Sequence, residues 1–248
     1  MSDIISVLIL FVVGAIAAFI NVNAGGGSSL TLPALIFLGL DASVANGTNR
    51  VAIIFQNVSA VYSFKREKYY ELKNSFILSA LSLPGAIAGA VFAVKISNEA
   101  FEKVLGIIMI LLIITMLIPQ RREKNVTDEF KVDWKLILSM IAIGFYGGFL
   151  QVGVGFIIMA LLHNALKLDL IRVNMHKVFI VFVFTIPALL VFIFTNNVNW
   201  FYGLSLSAGN AFGGWWGAKL SVKKGEKFIK AVLIVAIFIM SLKLLNIF

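Results

Sequence analysis

Long apolar blocks dominate this sequence and constrain its fold more than any other feature. Of 248 residues, 60% are apolar or aromatic and only 13% are charged. A soluble domain of this size needs more polar surface than that, and disordered chains are far less apolar. Each helical residue advances about 1.5 Å across a hydrocarbon core of about 30 Å, so blocks of roughly 20 residues predict membrane-spanning helices. We therefore expect an all-α integral membrane protein.

Ten apolar segments can be drawn along the chain. Seven are long enough to approach a full crossing: 4–22, 44–64, 75–94, 101–118, 173–195, 199–218 and 229–247. The other three, 28–40, 135–150 and 154–166, are short and lie beside glycine clusters. They are expected to be half-helices, re-entrant pieces or tilted helices.

Basic residues outnumber acidic ones by 21 to 12, which raises nucleic acid or an anionic membrane face as alternative partners. Their positions favour the membrane, since most fall in four clusters within 65–73, 121–135, 167–177 and 219–230. If all four clusters face the cytoplasm, the chain follows the positive-inside rule. Both termini are then expected outside a cytoplasmic membrane, and no nucleic acid partner is expected.

An internal repeat divides the chain. A shift of 128 residues aligns glycine, aspartate and asparagine positions: Gly25 with Gly153, Gly27 with Gly155, Asp41 with Asp169 and Asn46 with Asn174. A one-residue gap then pairs Asn49 with His176 and Arg50 with Lys177. Because each copy holds five segments, an odd number, the second copy is expected to enter the membrane from the opposite side. The predicted organisation is two inverted-topology repeats, 1–118 and 135–248, joined by a cytoplasmic linker, 119–134, within one membrane domain.

The glycine-rich stretch 21–29 (NVNAGGGSS) is the strongest indication of a binding site. Three consecutive glycines disfavour a helix, and a broken backbone inside a membrane must face protein or a watery cavity. Free amides at the start of the next helix would suit an anion. The second copy has a weaker equivalent at 151–155, and paired breaks in inverted halves indicate a midplane substrate site. The alternative is that these glycines only allow tight turns or close packing.

Arg50 is the second indication of an anion site. It lies 15 residues before Lys65, roughly 22 Å along a helix, which places its guanidinium within the hydrocarbon depth. A charge there usually faces a partner or cavity. Alternatively, Arg50 extends to the outer interface or caps helix carbonyls. The expected substrate-binding residues are Asn23, Gly25, Gly26, Gly27, Ser28, Asn46, Thr48, Asn49 and Arg50 in the first copy and Gln151, Gly153, Gly155, Asn174, His176 and Lys177 in the second.

Other motifs predict structure rather than chemistry. Glycines spaced by four at 85–89 and 209–217 predict close helix packing. The chain has no cysteine, and His163 has no second metal ligand nearby in the sequence. We expect no metal, no cofactor and no catalytic residue.

The stretch 24–33 (AGGGSSLTLP), followed by 44–50 (VANGTNR), resembles the first-half signature of the TauE/SafE family of sulfite and organosulfonate exporters. The likeness extends over nearly the whole chain, although the second half has a shorter glycine run. The resemblance implies a secondary transporter of small sulfur-containing anions that works by alternating access. An anion channel remains the closest alternative, and an intramembrane enzyme a more distant one. The sequence leaves the coupling ion open between proton and sodium, and also leaves open the direction of transport and the oligomeric state.

Overall fold

The computed structural model describes residues 3–117 and 132–244, and every regular element in this part of the chain is an α-helix. The last helical stretch, Trp200–Leu244, is broken at Gly225, where φ is 72° and ψ is −169°. It therefore comprises two helices, α9 (200–224) and α10 (226–244). The others are α1 (Asp3–Asn23), α2 (Ser28–Phe37), α3 (Ala42–Arg66), α4 (Leu72–Lys95), α5 (Asn98–Leu117), α6 (Trp134–Phe149), α7 (Val154–Ala165) and α8 (Leu170–Phe194). The predicted all-α membrane fold with ten helical segments is confirmed.

Helix length separates the elements into two groups. Among the described residues, three helices are long and apolar enough to cross a membrane, over Ile4–Asn23, Leu72–Lys95 and Leu170–Phe194. By contrast, α2, α6 and α7 have 10, 16 and 12 residues, about 15, 24 and 18 Å of helix. These are the three segments that the sequence predicts to be short. Each adjoins a backbone break, so α1–α2 and α6–α7 form two broken-helix units.

Helix ends extend beyond the apolar segments seen in the sequence. The segment predicted to begin at residue 173 begins at Leu170, because Asp169 caps the helix by accepting from the amides of Ile171 and Arg172. Similarly, the segment predicted to end at 218 continues to residue 224. Apolar patterning marks only the part of a helix that lies in hydrocarbon, whereas capping and basic side chains extend helices into the polar interface.

The backbone follows the 128-residue offset closely. Helix α3 spans 42–66 and α8 spans 170–194, while α4 begins at 72 and α9 at 200. Positive φ angles recur at the same offset, in the pairs Gly25 and Gly153, Gly39 and Lys167, and Lys68 and Asn196. This agreement supports the predicted duplication. The sense in which each copy enters the membrane stays a prediction, and residues 119–131 of the predicted linker lie outside the described residues.

The two copies are interleaved. The first helix of each copy packs on the fourth helix of the other, as α1 on α9 and α6 on α4, while α3 and α8 contact each other. Glycines allow this approach: a Cβ on Gly89 would lie 2.0 Å from the carbonyl oxygen of Phe145, and one on Gly213 would lie 2.0 Å from that of Ala15. Such separations exclude any side chain. The predicted close packing at the glycine motifs is confirmed.

Candidate functional site

The two backbone breaks meet at the centre of the molecule. One joins α1 to α2 and contains Gly25, with φ of 97°; the other joins α6 to α7 and contains Gly153, with φ of 73°. A Cβ on Gly25 would lie 2.5 Å from the carbonyl carbon of Gly155, and one on Gly155 would lie 2.5 Å from the Cα of Gly25. The breaks are thus in direct backbone contact. Only glycine combines left-handed geometry with this close an approach.

A small polar cavity lies beside this crossing, and we call it the central cavity. It has room for about one water molecule, with a volume of ≈ 10 Å³. Its lining residues comprise six polar ones (a lysine, four residues with carboxamide side chains and a serine), four apolar ones (an isoleucine and three valines) and a glycine. Gly155 and these side chains form the wall: Lys177, Asn21, Gln56, Asn57, Gln151, Ser28, Ile53, Val154, Val178 and Val181.

Arg50 is fully buried, but it is not among the residues that line the central cavity. Its guanidinium donates to the carbonyl oxygens of Gly147 at 3.2 Å, of Gly148, and of Phe149 at 3.5 Å. These carbonyls form the C-terminal end of the broken helix α6, where the helix dipole favours a cation. The Arg50 guanidinium also lies 4.7 Å from the ring centroid of Phe192. The sequence left open whether Arg50 faces a substrate cavity, extends to the outer interface or caps helix carbonyls. These contacts are those of a carbonyl cap.

Lys177 makes the equivalent contact in the other copy. Its Nζ donates to the carbonyl oxygen of Val22 at 2.6 Å, in the last turn of the broken helix α1. It also donates to Oδ1 of Asn174 at 2.8 Å, and Sδ of Met159 lies 3.4 Å away. Asn46, the counterpart of Asn174, likewise contacts the end of α6 by donating to the Phe149 carbonyl oxygen at 2.8 Å. Each copy therefore holds the broken helix of the other through a buried cation, and in both copies this cation also donates to an asparagine of its own helix.

A chain of side-chain hydrogen bonds crosses between the copies beside the central cavity. The Thr31 hydroxyl donates to Oδ1 of Asn49 at 2.7 Å, and the Asn49 amide nitrogen donates to Oε1 of Gln151 at 3.5 Å. The Gln151 amide nitrogen donates in turn to the Thr185 hydroxyl oxygen at 3.1 Å. This chain fixes the orientation of Gln151, which faces the cavity.

Several predicted site residues lie away from the central cavity. Asn23 donates to the carbonyl oxygens of Phe19 and Gly217, and so ties α1 to α9. The Thr48 hydroxyl oxygen accepts from the backbone amide of Asn199 at 2.9 Å. The cavity brings together four predicted residues: Ser28, Gln151, Gly155 and Lys177.

His176, which the gapped sequence alignment pairs with Asn49, also faces away from the cavity. Its Nδ1 lies 2.8 Å from the Ser75 hydroxyl oxygen, and its Nε2 lies 3.5 Å from Oε2 of Glu71. Both partners belong to the region around the start of α4. Thr48 and His176 therefore connect the two copies at opposite ends of the molecule.

The cavity also contains three carboxamides that the site prediction missed. Asn21 is the first residue of the glycine-rich stretch 21–29, but it is not among the predicted site residues; its amide nitrogen donates to Oε1 of Gln56 at 3.2 Å. Gln56 and Asn57 lie in the middle of α3, and both are 1% exposed. Adjacent amides inside a predicted span are themselves a signal, since polar groups at membrane depth tend to face a cavity or a protein partner. Gln56 and Asn57 follow Arg50 by six and seven residues, about two helical turns.

Comparisons with known proteins agree with the membrane fold. A probable membrane transporter protein, ORF9, from Sinorhizobium sp is 28% identical, with 95% of this chain and 91% of the relative aligned. YfcA of Escherichia coli K12 is 28% identical, with coverage of 96% and 88%, and YunE of Bacillus subtilis is 24% identical, with coverage of 97% and 97%; both are also named probable membrane transporter proteins. No solved structure matches the chain. The family model for the sulfite exporter TauE/SafE matches residues 10–244, and the chain therefore belongs to the TauE/SafE family of membrane transporters.

Proposed function

We propose that this protein is a secondary transporter that carries a small anion, sulfite or an organosulfonate, across the cytoplasmic membrane. Family membership supports a membrane transporter with a small-molecule substrate. The proposed orientation puts both termini outside and the basic clusters, apart from the buried Lys177, in the cytoplasm, in line with the positive-inside rule.

The observation that carries this proposal is the central cavity at the crossing of two broken helices. Paired breaks at equivalent positions of a duplicated membrane fold are typical of midplane substrate sites in secondary transporters. Here the residues that line the cavity include Lys177 together with Asn21, Gln56, Asn57 and Gln151. A cation surrounded by neutral hydrogen-bonding groups suits a small anion with several acceptor oxygens.

Alternating access requires contacts between the copies that separate one end at a time. At one end, Thr48 contacts Asn199, and the Ser43 hydroxyl donates to Oδ1 of Asn197 at 2.9 Å; we call these the outer contacts. At the other end, Nε of Arg172 lies 3.2 Å from Oε1 of Glu71, and Ser75 and Glu71 contact His176; these are the inner contacts. Rocking one copy against the other would open one set while the second remains closed.

The small volume of the cavity favours a carrier over a channel. A conducting pore needs a continuous path, whereas this cavity has the volume of about one water molecule and lies between the inner and outer contacts. Binding of an anion with several heavy atoms therefore requires the copies to separate. The protein would pass through an occluded state during transport.

Counterflow in reconstituted vesicles tests the proposal. Vesicles preloaded with unlabelled sulfite, sulfoacetate or methanesulfonate should take up the labelled form of the same anion from a dilute external solution. A carrier gives saturable uptake with a transient overshoot, because internal substrate speeds the return of the binding site. Uptake that does not saturate would support a channel, and uptake no greater than in protein-free vesicles would contradict the proposal.

A further inference from the structure

We propose that Lys177 couples anion transport to protons, so that one proton accompanies each anion and sodium is not required. This inference rests on the proposed function, because it assigns the coupling step to the same cavity. It follows from the way in which buried cations occupy the ends of both broken helices.

The C-terminal ends of the two broken helices are the sites that a coupling cation would use. In transporters with inverted repeats, carbonyl oxygens at the C-terminal ends of broken helices commonly coordinate sodium. Here the end of α6 contacts the Arg50 guanidinium and the end of α1 contacts the Lys177 ammonium. The protein thus supplies tethered cations at the two positions where a mobile cation would bind.

Arg50 and Lys177 differ in their ability to exchange a proton and in their contact with the cavity. Arginine keeps its proton in proteins, whereas a buried lysine readily gains or loses one. Lys177 lines the central cavity, and Arg50 does not. Only Lys177 can therefore combine contact with the transported anion and exchange of a proton.

The immediate surroundings of the Lys177 ammonium are neutral. Within the described residues, no carboxylate lies within 4 Å of its Nζ, and its hydrogen-bond acceptors are all neutral. The adjacent His176 faces Ser75 and Glu71, and His163 on α7 contacts the carbonyl oxygen of Leu168. Arg172 lies near Glu71 and Asp169 at the start of α8, and Arg50 lies at the end of α6. The anion itself would supply the full counter-charge for the ammonium.

These features define a coupling cycle. Binding of the anion stabilises protonated Lys177, and the neutral pair crosses the low-dielectric centre at lower electrostatic cost than either charge alone. After the anion leaves, Nζ releases its proton to water on the same side, and the neutral amine returns with the empty carrier. No covalent bond forms between the lysine and the anion. Anion and proton therefore move in the same direction.

The test uses the full-length protein in vesicles with methanesulfonate, whose headgroup stays ionised, and with sodium replaced by choline. A trapped pH dye should report acidification of the lumen as methanesulfonate enters, at about one proton per anion. With the membrane potential clamped at zero, each unit of pH gradient should drive about tenfold accumulation of methanesulfonate on the alkaline side of the membrane. Net uptake of methanesulfonate without acidification of the lumen, or accumulation that requires sodium, would overturn the coupling and leave the proposed function intact. Absence of counterflow would overturn both.

Lys177→Arg provides the matched variant, because arginine keeps a positive charge but cannot exchange its proton. We expect the proton-to-anion ratio of any remaining flux to fall close to zero, whatever the rate of that flux. Lys167→Arg, in the connection between α7 and α8, should keep the wild-type ratio. A wild-type ratio in Lys177→Arg would overturn the assignment. Counterflow does not require return of the empty carrier, so Lys177→Arg should retain it, and loss of counterflow in this variant would also overturn the assignment.

Discussion

At the scale of single residues, two cations in equivalent positions have different surroundings. Arg50 and Lys177 each contact the end of a broken helix, but Lys177 also lines the central cavity. In the proposed function, Arg50 therefore holds the copies together, whereas Lys177 contacts the transported anion. Separate measurements of stability and of ligand binding can distinguish these roles.

Lys177→Met tests the contact with the anion. A hydrogen bond to a charged group contributes about 1.5–3 kcal/mol, so binding of methanesulfonate should weaken about 10- to 150-fold. The measurement is the rise in melting temperature of the purified protein as anion is added. Lys167→Met is the control for loss of a lysine elsewhere. Unchanged ligand-induced stabilisation in Lys177→Met would remove Lys177 from the site.

Arg50→Met tests the structural role. The substitution leaves carbonyl oxygens of residues 147–149 buried without the guanidinium donor, which should cost about 1–3 kcal/mol of stability. The melting temperature without anion should therefore fall by several degrees. Arg50→Lys should recover part of the loss, since an ammonium can still donate to these carbonyls. Wild-type stability in Arg50→Met would contradict the capping role.

At the scale of the helices, the breaks determine how the two copies meet. The short helices α2 and α7 begin just after the glycine crossing, so the backbone geometry there positions both Ser28 and Gly155 at the cavity. Elsewhere, glycine contacts bring α1 to α9 and α4 to α6. Small residues thus act at two levels, in helix packing and in the site itself.

Gly25→Ala and Gly39→Ala form a matched pair for the crossing. Both glycines have positive φ, 97° and 91°, but Gly25 is packed against Gly155, whereas no atom lies within 4 Å of a Cβ added at Gly39. Gly39→Ala should cost only the backbone strain, about 1–2 kcal/mol. Gly25→Ala adds steric overlap of typically about 1–3 kcal/mol, and it should also reduce counterflow. Melting temperatures and counterflow of the two variants measure the difference. Equal effects would contradict the observed crossing.

At the scale of the whole molecule, the proposed transport cycle depends on relative motion of the copies. The outer and inner contacts join residues of different copies, and the central cavity lies between them. The outer contacts here are neutral hydrogen bonds, whereas the inner contacts include the ion pair between Arg172 and Glu71. The proposed cycle requires the outer contacts and the inner contacts to separate in turn.

A cross-link across the outer contacts tests that motion. The chain has no native cysteine, so Ser43→Cys combined with Asn197→Cys introduces the only thiols. Oxidation or a short bifunctional reagent should stop counterflow, and reduction of the disulfide should restore it. Each single cysteine variant is the control for the reagent. Full counterflow in completely cross-linked protein would contradict alternating access at this end.

Much of this architecture is determined by the sequence alone. The apolar blocks, the broken stretches at residues 21–29 and 151–155, and the 128-residue offset are local or periodic properties, so they predict ten helices and the positions of the breaks. Ser28, Gln151, Gly155 and Lys177 could be selected as cavity residues because they belong to, or align with, those breaks. Gln56 and Asn57 were not predicted as cavity residues. Their side chains are neutral amides, which stand out less from an apolar segment than the charge of Arg50, two turns earlier on α3.

Tertiary structure alone decided which of these polar groups meet. Depth in the membrane can be counted from the sequence, but the direction that a side chain faces depends on the helices packed around it. The end of α6 lies beside Arg50 and accepts from both terminal nitrogens of its guanidinium, while the end of α1 leaves Lys177 at the cavity wall. Those neighbours come from the opposite copy, more than 90 residues away along the chain. Pairings over such distances follow from packing of the whole molecule rather than from any local pattern.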